Sequence, residues 1–285
     1  MSKTFQWSLV GLIVILAFSL MIKVSLQESA TMDELAHIPA GYSYVIFLDY
    51  RLNPEHPPLV KALAAFPLLF QNLNFPLQSS AWKNDVNGQW QIGAEFLYQS
   101  GNNADQIIKW SRFGPIILTL ILIIFIYIWA SELVGGWWAL LPTFLFALSP
   151  NVLAHGHYVT TDIGAALGFF LAIYYFVKCL LTPKNKYVVI SGLTLGIALL
   201  MKFSTFLLAP LFIFLLIVFL IWKTKNEPEK GAVLKYLLKT VLIFIIGFAL
   251  VYIIYFIFTF NYPIQKQISD TSTILQSFAG GPDPE

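Results

Sequence analysis

Apolar residues run almost unbroken for about twenty positions at a time along this chain, and polar residues fill the gaps between the runs. Runs of that length can cross a bilayer as helices. Seven are legible, over residues 5–26, 107–133, 138–153, 163–181, 187–200, 206–222 and 237–260. The first has no small-x-small cleavage site after its apolar stretch, so it reads as an uncleaved span rather than a signal. Gly135-Gly136 forms a tight turn after the second, and Trp137-Trp138 anchors the start of the third at the interface. Gly164 and Gly168 suit close helix packing in the fourth. The fold class is therefore all-α, a polytopic transmembrane bundle of about seven spans. No internal repeat is visible.

One long polar segment, residues 27–106, interrupts this rhythm. Residues 31–47 read as a short helix, with Thr31 at its N-cap and Glu34 completing a capping box. Asp33 and His37 lie four apart and share a helix face. Pro57-Pro58 opens a second helix over residues 59–70, which is too short to span. It is expected to lie in the interface plane with Lys61 reaching toward head-groups. Residues 71–105, rich in Asn, Gln, Ser and Gly, read as an irregular excursion.

Composition agrees with a membrane protein. Of 285 residues, 58% are hydrophobic and 11% charged, where soluble domains carry roughly 25% charged residues. A net charge of +2 gives no reason to expect nucleic acid as a partner. The single Cys179 excludes an internal disulfide and a multi-thiolate metal site. Lys3, Lys178, Lys184, Lys186, Lys223, Lys225, Lys230, Lys235 and Lys239 all fall on one side of the span pattern, which assigns that side to the cytoplasm. The 27–106 segment, the 149–162 loop, the turn at Lys202 and the C-terminal segment then face outward. All acids but Glu132, Glu227 and Glu229 fall on the outer side, as do all 4 histidines. The inner face carries topology signals and the outer face the chemistry.

Three clusters hold that chemistry. Asp33-Glu34 sits just past the first span, where an ionised carboxylate can take a proton from an acceptor hydroxyl; the plainer reading is charge complementing a helix N-terminus. Asp-Glu-x-x-His lacks the first histidine of a zinc protease motif. Arg51, Glu55, His56 and Lys61 form the second cluster on an Asn-Pro-Glu-His-Pro-Pro frame. Arg and Lys together suit a phosphate, or ordinary lipid head-groups. The third cluster runs over residues 149–162, with His155, His157, Thr160, Thr161 and Asp162. Thr160 or Thr161 caps the fourth span in the simpler reading, which leaves the histidines unexplained. Lys202 is either a snorkelling lysine or a further phosphate contact.

Together these clusters resemble the membrane-embedded GT-C glycosyltransferases of the protein O-mannosyltransferase and aminoarabinose-transferase-like family. Asp33-Glu34 matches that family's acidic pair in the first outer loop, His56-Pro57-Pro58-Leu59-Val60-Lys61 its His-Pro-Pro-Leu-x-Lys pattern, and residues 149–162 its second outer loop. The resemblance covers about residues 5–205. It implies transfer of a sugar from a polyprenyl-phosphate carrier to an acceptor hydroxyl on a protein, lipid or glycan, with inversion. It casts Asp33 as the base and Glu34 as a substrate-orienting partner. Arg51, Lys61 and Lys202 would hold the carrier phosphate. Glu55, His56, His155 and Asp162 would line the sugar site, and Glu55, His56 and Asp162 would hold a divalent cation where family members do. The expected setting is a bacterial plasma membrane with the site facing outward.

Residues 1–260 are expected to form the catalytic core, and residues 261–285 an outward tail that begins a further C-terminal part. Two other readings stand beside the enzyme. A lipid or ion transporter would place ionisable groups at mid-membrane depth, and a non-catalytic membrane subunit would show eroded clusters. Here the ionisable groups gather at the outer ends, with Lys202 the one candidate exception, and the clusters are intact.

Overall fold

The computed structural model describes residues 2–182 and 184–278. Among them every regular element is a helix, as the apolar runs predict. The chain divides into two compact units, one made of residues up to Ile163 together with those from Tyr255 on, the other of Gly164–Ile254.

The first unit begins with α1 (Lys3–Ser25) and is built around α2 (Met32–Phe47). The expected Glu34 cap is present, with the Thr31 N–H donating to Glu34 Oε2 at 2.9 Å. Leu48 takes a left-handed conformation (φ 53°) and ends the helix. Pro58 precedes α3 (Leu59–Ala65), which tightens into a 3₁₀ turn over Phe66–Phe70. Leu63, Phe66 and Phe70 lie exposed along it while Val60, Ala64 and Leu68 are buried, the two-faced pattern of an interfacial helix. The excursion after it is less irregular than expected: it contains α4 (Ser80–Lys83), α5 (Gln89–Ala94) and a π-helical turn over Glu95–Gln99.

Helix α2 is gripped on two sides at glycines. A Cβ on Gly41 would lie 2.1 Å from the Lys61 carbonyl of α3, and one on Gly93 of α5 would lie 2.1 Å from the Leu35 carbonyl. Backbone on backbone leaves no flexible atom to yield. Gly41→Ala is therefore expected to destabilise the protein by about 1–3 kcal/mol, read as a lowered unfolding midpoint in detergent.

The second apolar run is a helix in two pieces, α6 (Ala104–Ser111) and α7 (Phe113–Val134), joined at Arg112. Pro115 lacks the N–H that would bond the Ser111 carbonyl, which accounts for the break. The third run does not form one span. It gives α8 (Leu140–Ala147) and α9 (Pro150–His155), each only a few turns long. Pro150 cannot continue a helix from α8 and pushes Ser149 into extended backbone. An apolar run measures hydrophobicity and is blind to that interruption.

In the second unit lie α10 (Asp162–Leu181, from Gly164 on), α11 (Asn185–Met201), α12 (Leu208–Asn226) and α13 (Ala232–Phe258, up to Ile254). A Cβ on Gly168 would meet Ala198 Cα at 2.8 Å, so this glycine does serve close packing. Phe176 stacks on Phe212 at 3.9 Å. The lysines gather at the C-terminal ends of α10 and α12 and the N-terminal ends of α11 and α13, which is one end of an up-and-down arrangement. Among the described residues five helices are long and apolar enough to cross a membrane; α11, at 17 residues, falls just short of that measure.

Residues 261–278 pack back onto the outer segment as α14 (Ile264–Phe278) and the turn before it. The Asn261 N–H donates to the Leu48 carbonyl (3.0 Å) and its side chain to the Phe47 carbonyl (2.8 Å). The last residues of the expected tail, 279–285, lie outside the described residues.

Candidate active site

The site is organised by a buried ion pair that ties α2 to its surroundings. Glu34 and Arg112 are both fully buried. The Arg112 Nε and one terminal nitrogen donate to the two Glu34 oxygens at 2.8 Å each. The remaining guanidinium donors go to the carbonyls of Ser25 (3.0 Å), Glu28 (3.1 Å) and Ser29 (2.8 Å). All five N–H groups of the arginine are thus used. One residue holds the end of α1, the link after it and the start of α2 together.

The same carboxylate captures the second outer loop. The Val159 N–H donates to Glu34 Oε1 at 3.2 Å, and the Val159 carbonyl lies 2.7 Å from His37 Nδ1. Since a carbonyl only accepts, His37 carries its proton on Nδ1 and leaves Nε2 as an acceptor. Val159 is thereby pinned to α2 by both of its backbone groups, and Thr160, Thr161 and Asp162 follow directly. The His56 ring packs edge-on against His37, with centroids 5.4 Å apart. Burial first, then the charges of Lys61 and His56, push the His37 pKa down to about 3; its bond to Val159 and the Asp162 charge pull the other way.

A folded-state pKa below the unfolded value of 6.5 means that unfolded His37 takes up a proton the folded ring refuses. Its stabilising effect is complete above that pH and is lost as pH falls through the window from 6.5 toward 3. The cost there is about 1.4 kcal/mol per pH unit. His37→Asn, which keeps a donor for Val159, should flatten the acid side of the stability–pH curve by that slope.

Asp33 shares the first turn of α2 with Glu34 but is exposed. The two carboxylates that look equivalent in sequence have opposite fates. Glu34 is a buried clamp whose two oxygens accept from Arg112, Val159 and Thr31. Asp33 is the exposed acid of the pair.

The second sequence cluster is divided as well. Lys61 is fully buried, and its ammonium donates to the Asn53 carbonyl (2.8 Å), Asn53 Oδ1 (2.7 Å) and the His56 carbonyl (2.7 Å). Its three donors are spent, and it neither reaches head-groups nor offers itself to a phosphate. Burial holds its pKa well below the usual lysine value, with the Glu55 charge opposing. Arg51 is turned to Asp49 in a two-pronged pair (3.0 and 2.5 Å), to the Trp82 carbonyl (2.8 Å) and over the Trp82 ring (4.0 Å). The phosphate clamp expected from Arg51 and Lys61 is instead the scaffold of the turn between them. That turn needs a scaffold because Asn53 has a positive φ of 51°; Asn87 and Gln89 also brace it through Asn53 (2.7 and 2.5 Å). Glu55 emerges exposed from it, with Oε1 accepting from Asn87 (2.9 Å) and Gln89 (2.6 Å).

In the third cluster His155 is exposed at the end of α9. His157 is the buried one, lying 2.8 Å from Glu28 and 2.9 Å from the Leu153 carbonyl. Burial alone would raise the Glu28 pKa, but hydrogen bonds from His157 and Tyr158 with the His157 and Arg112 charges bring it below its usual value. Asp162 is exposed at the start of α10. Lys202 is half-buried at an extended junction after α11, in the second unit. Among the described residues no three His, Cys, Asp or Glu side chains converge as metal ligands, so Glu55, His56 and Asp162 do not form the expected set.

Around His37 the structure thus brings the His56 ring and the Asp162 charge, next to the Glu34–Arg112 clamp, and Asp33 lies one turn before His37 on the same helix. Sequence reasoning passed over Arg112, although its signal was there, because an arginine inside an apolar run marks a buried partner or a functional group.

Comparisons with known proteins bear on the family and the fold. The dolichyl-phosphate-mannose-protein mannosyltransferase family matches residues 101–259. No curated protein matches the chain. Among solved structures, the chain is similar to one from the Saccharomyces cerevisiae protein O-mannosyltransferase Pmt1-Pmt2 complex bound to the sugar donor, with a TM-score of 0.62 at 18% identity over 90% of this chain. The two share the GT-C fold. This chain spans 34% of the length of that yeast chain.

Proposed function

Because the chain belongs to the dolichyl-phosphate-mannose-protein mannosyltransferase family, we propose that it is a membrane glycosyltransferase that moves a hexose from a polyprenyl-phosphate carrier to an acceptor hydroxyl. The observation that carries this reading is Asp33, an exposed carboxylate on a helix locked from behind by Glu34 and Arg112. A base must be held still and yet reachable, and Asp33 has both properties.

In the proposed reaction Asp33 takes the proton of the acceptor hydroxyl as its oxygen attacks the anomeric carbon. The bond from that carbon to the carrier phosphate breaks, and the phosphate leaves with the electron pair. Attack opposite the leaving group inverts the centre. Phosphate is already a good leaving group, so charge stabilisation matters more than an acid. We assign that role to His56, beside His37. Glu55, His155 and Asp162 are assigned to the sugar's surroundings, and Glu34 to positioning Asp33. We place the reaction on the outer face of the membrane, as the basic residues of the sequence assign it.

The test is transfer of labelled sugar from synthetic polyprenyl-phosphate hexoses and pentoses by the purified chain in proteoliposomes, with hydroxyl-bearing peptide, lipid and glycan acceptors. Carrier-dependent transfer of a hexose with inverted anomeric configuration is expected. Absence of transfer from every carrier would overturn the reading, and retention of configuration would overturn the single-base mechanism.

A further inference from the structure

A cavity of about 210 Å³ in the first unit lies between the loop holding Tyr50, Arg51 and Pro54, the end of α13 and the inner face of α14. The mechanism above does not use it. Its aromatic walls come from three elements: Tyr50 from the loop, Tyr255 from α13, and Tyr262 from the turn before α14. Gln267 and Thr271 add an amide and a hydroxyl to its lining.

The charges around it are already matched. Arg51 is paired with Asp49, and Asp270 with Lys266 at 3.1 Å and the Tyr262 hydroxyl at 2.5 Å. A charged ligand entering here would leave one charge unpaired in a buried place, which is costly. The ligand is therefore neutral. The volume lies below the roughly 300–1,000 Å³ of pockets that enclose drug-sized molecules, and leaves room for one ring-sized group. A peptide would need a groove with partners along its backbone, and this is a recess. Three tyrosine rings together with an amide and a hydroxyl in the lining suit a ring that is apolar on its faces and hydroxylated at its edge.

The cavity also shares a wall with the site. Pro54 and Asn87 line it, and Asn87 donates to Glu55. The Tyr50 hydroxyl donates to the His56 carbonyl at 2.6 Å. An occupant would rest on the back of the turn that presents Glu55 and His56. Ile264, Ile268 and Leu275 form an exposed apolar stripe on α14, which lays the helix along a membrane surface, with Thr271 exposed beside the stripe.

We infer that this cavity is a subsite for a single neutral sugar ring on the acceptor side, packed against Tyr50, Tyr255 and Tyr262 and hydrogen-bonded by Gln267 and Thr271. The acceptor role rests on the glycosyl-transfer reading; the sugar site itself does not.

The experiment is saturation-transfer NMR on the full chain, in a detergent without a sugar head-group. The probes are the methyl glycosides of mannose, glucose and N-acetylglucosamine, with glucuronate and a neutral Ser/Thr peptide as contrasts. Saturable binding of a neutral glycoside is expected. Tyr255→Leu and Thr271→Trp should each weaken it by about tenfold or more. Thr271→Trp obstructs an exposed position, so it tests the site without removing a buried partner; the unfolding midpoints of both variants check their folding. No binding by any neutral glycoside, binding unchanged in both folded variants, or preference for glucuronate or the peptide would overturn the subsite. Transfer is measured on the same preparations. Transfer without glycoside binding sinks the subsite alone, whereas glycoside binding without transfer sinks the enzyme reading and with it the acceptor role.

Discussion

Asp33→Asn lowers the rate of sugar transfer by about 10²–10⁴-fold, the usual contribution of a positioned general base, and leaves the protein folded. The substitution keeps the size of the side chain and removes only its ability to take a proton. Asp33 is exposed, and surface substitutions away from special features usually change stability by less than about 0.5 kcal/mol. Carrier binding should persist, because the assigned phosphate contact lies elsewhere. The expected result is therefore a fall in kcat with little change in the carrier KM and an unchanged unfolding midpoint. Equal transfer by the variant and the wild type would remove Asp33 as the base. Glu34→Gln provides the contrast. Its damage should appear first as lost stability, since Glu34 serves the Arg112 clamp and the Val159 backbone.

Arg112→Met destabilises the protein by about 3–5 kcal/mol, the cost of removing one partner of a buried ion pair. The reason is visible in what the arginine leaves behind. Glu34 stays buried with no counter-charge, and the carbonyls of Ser25, Glu28 and Ser29 lose their donors together. Replacing both partners, as Glu34→Leu with Arg112→Met, should recover part of that loss, because an apolar pair carries no stranded charge. A double-mutant cycle on unfolding midpoints in detergent measures the coupling. Additive losses from the two single variants would mean that the pair is not a coupled unit. Transfer should fail in Arg112→Met even where folded protein remains, since α2 then loses the clamp that steadies Asp33.

Much of this protein is legible residue by residue. Runs of apolar residues establish an all-helical membrane protein because hydrophobicity and span length are local properties. The cap at Thr31 and Glu34, the helix over residues 31–47, the restart after Pro57-Pro58 and the close approach at Gly168 follow from local backbone chemistry in the same way. Even the break at Ser149-Pro150 was written in the sequence, although an apolar count passed over it.

What local chemistry does not carry is the fate of each ionisable side chain. Asp33 and Glu34 are neighbours with like charge, and only the fold exposes one and buries the other. The difference comes from Arg112, 78 positions from Glu34, and from Val159, which is 125 positions away. Lys61 and Arg51 carry the charges a phosphate would want, yet the fold spends them on Asn53, His56, Asp49 and Trp82. A charge removed from water is tolerated only where partners meet all of its hydrogen-bonding groups. Those partners come from distant parts of the chain, so the sequence named most of these charged residues while tertiary structure alone decided which of them are buried with their partners and which stay exposed.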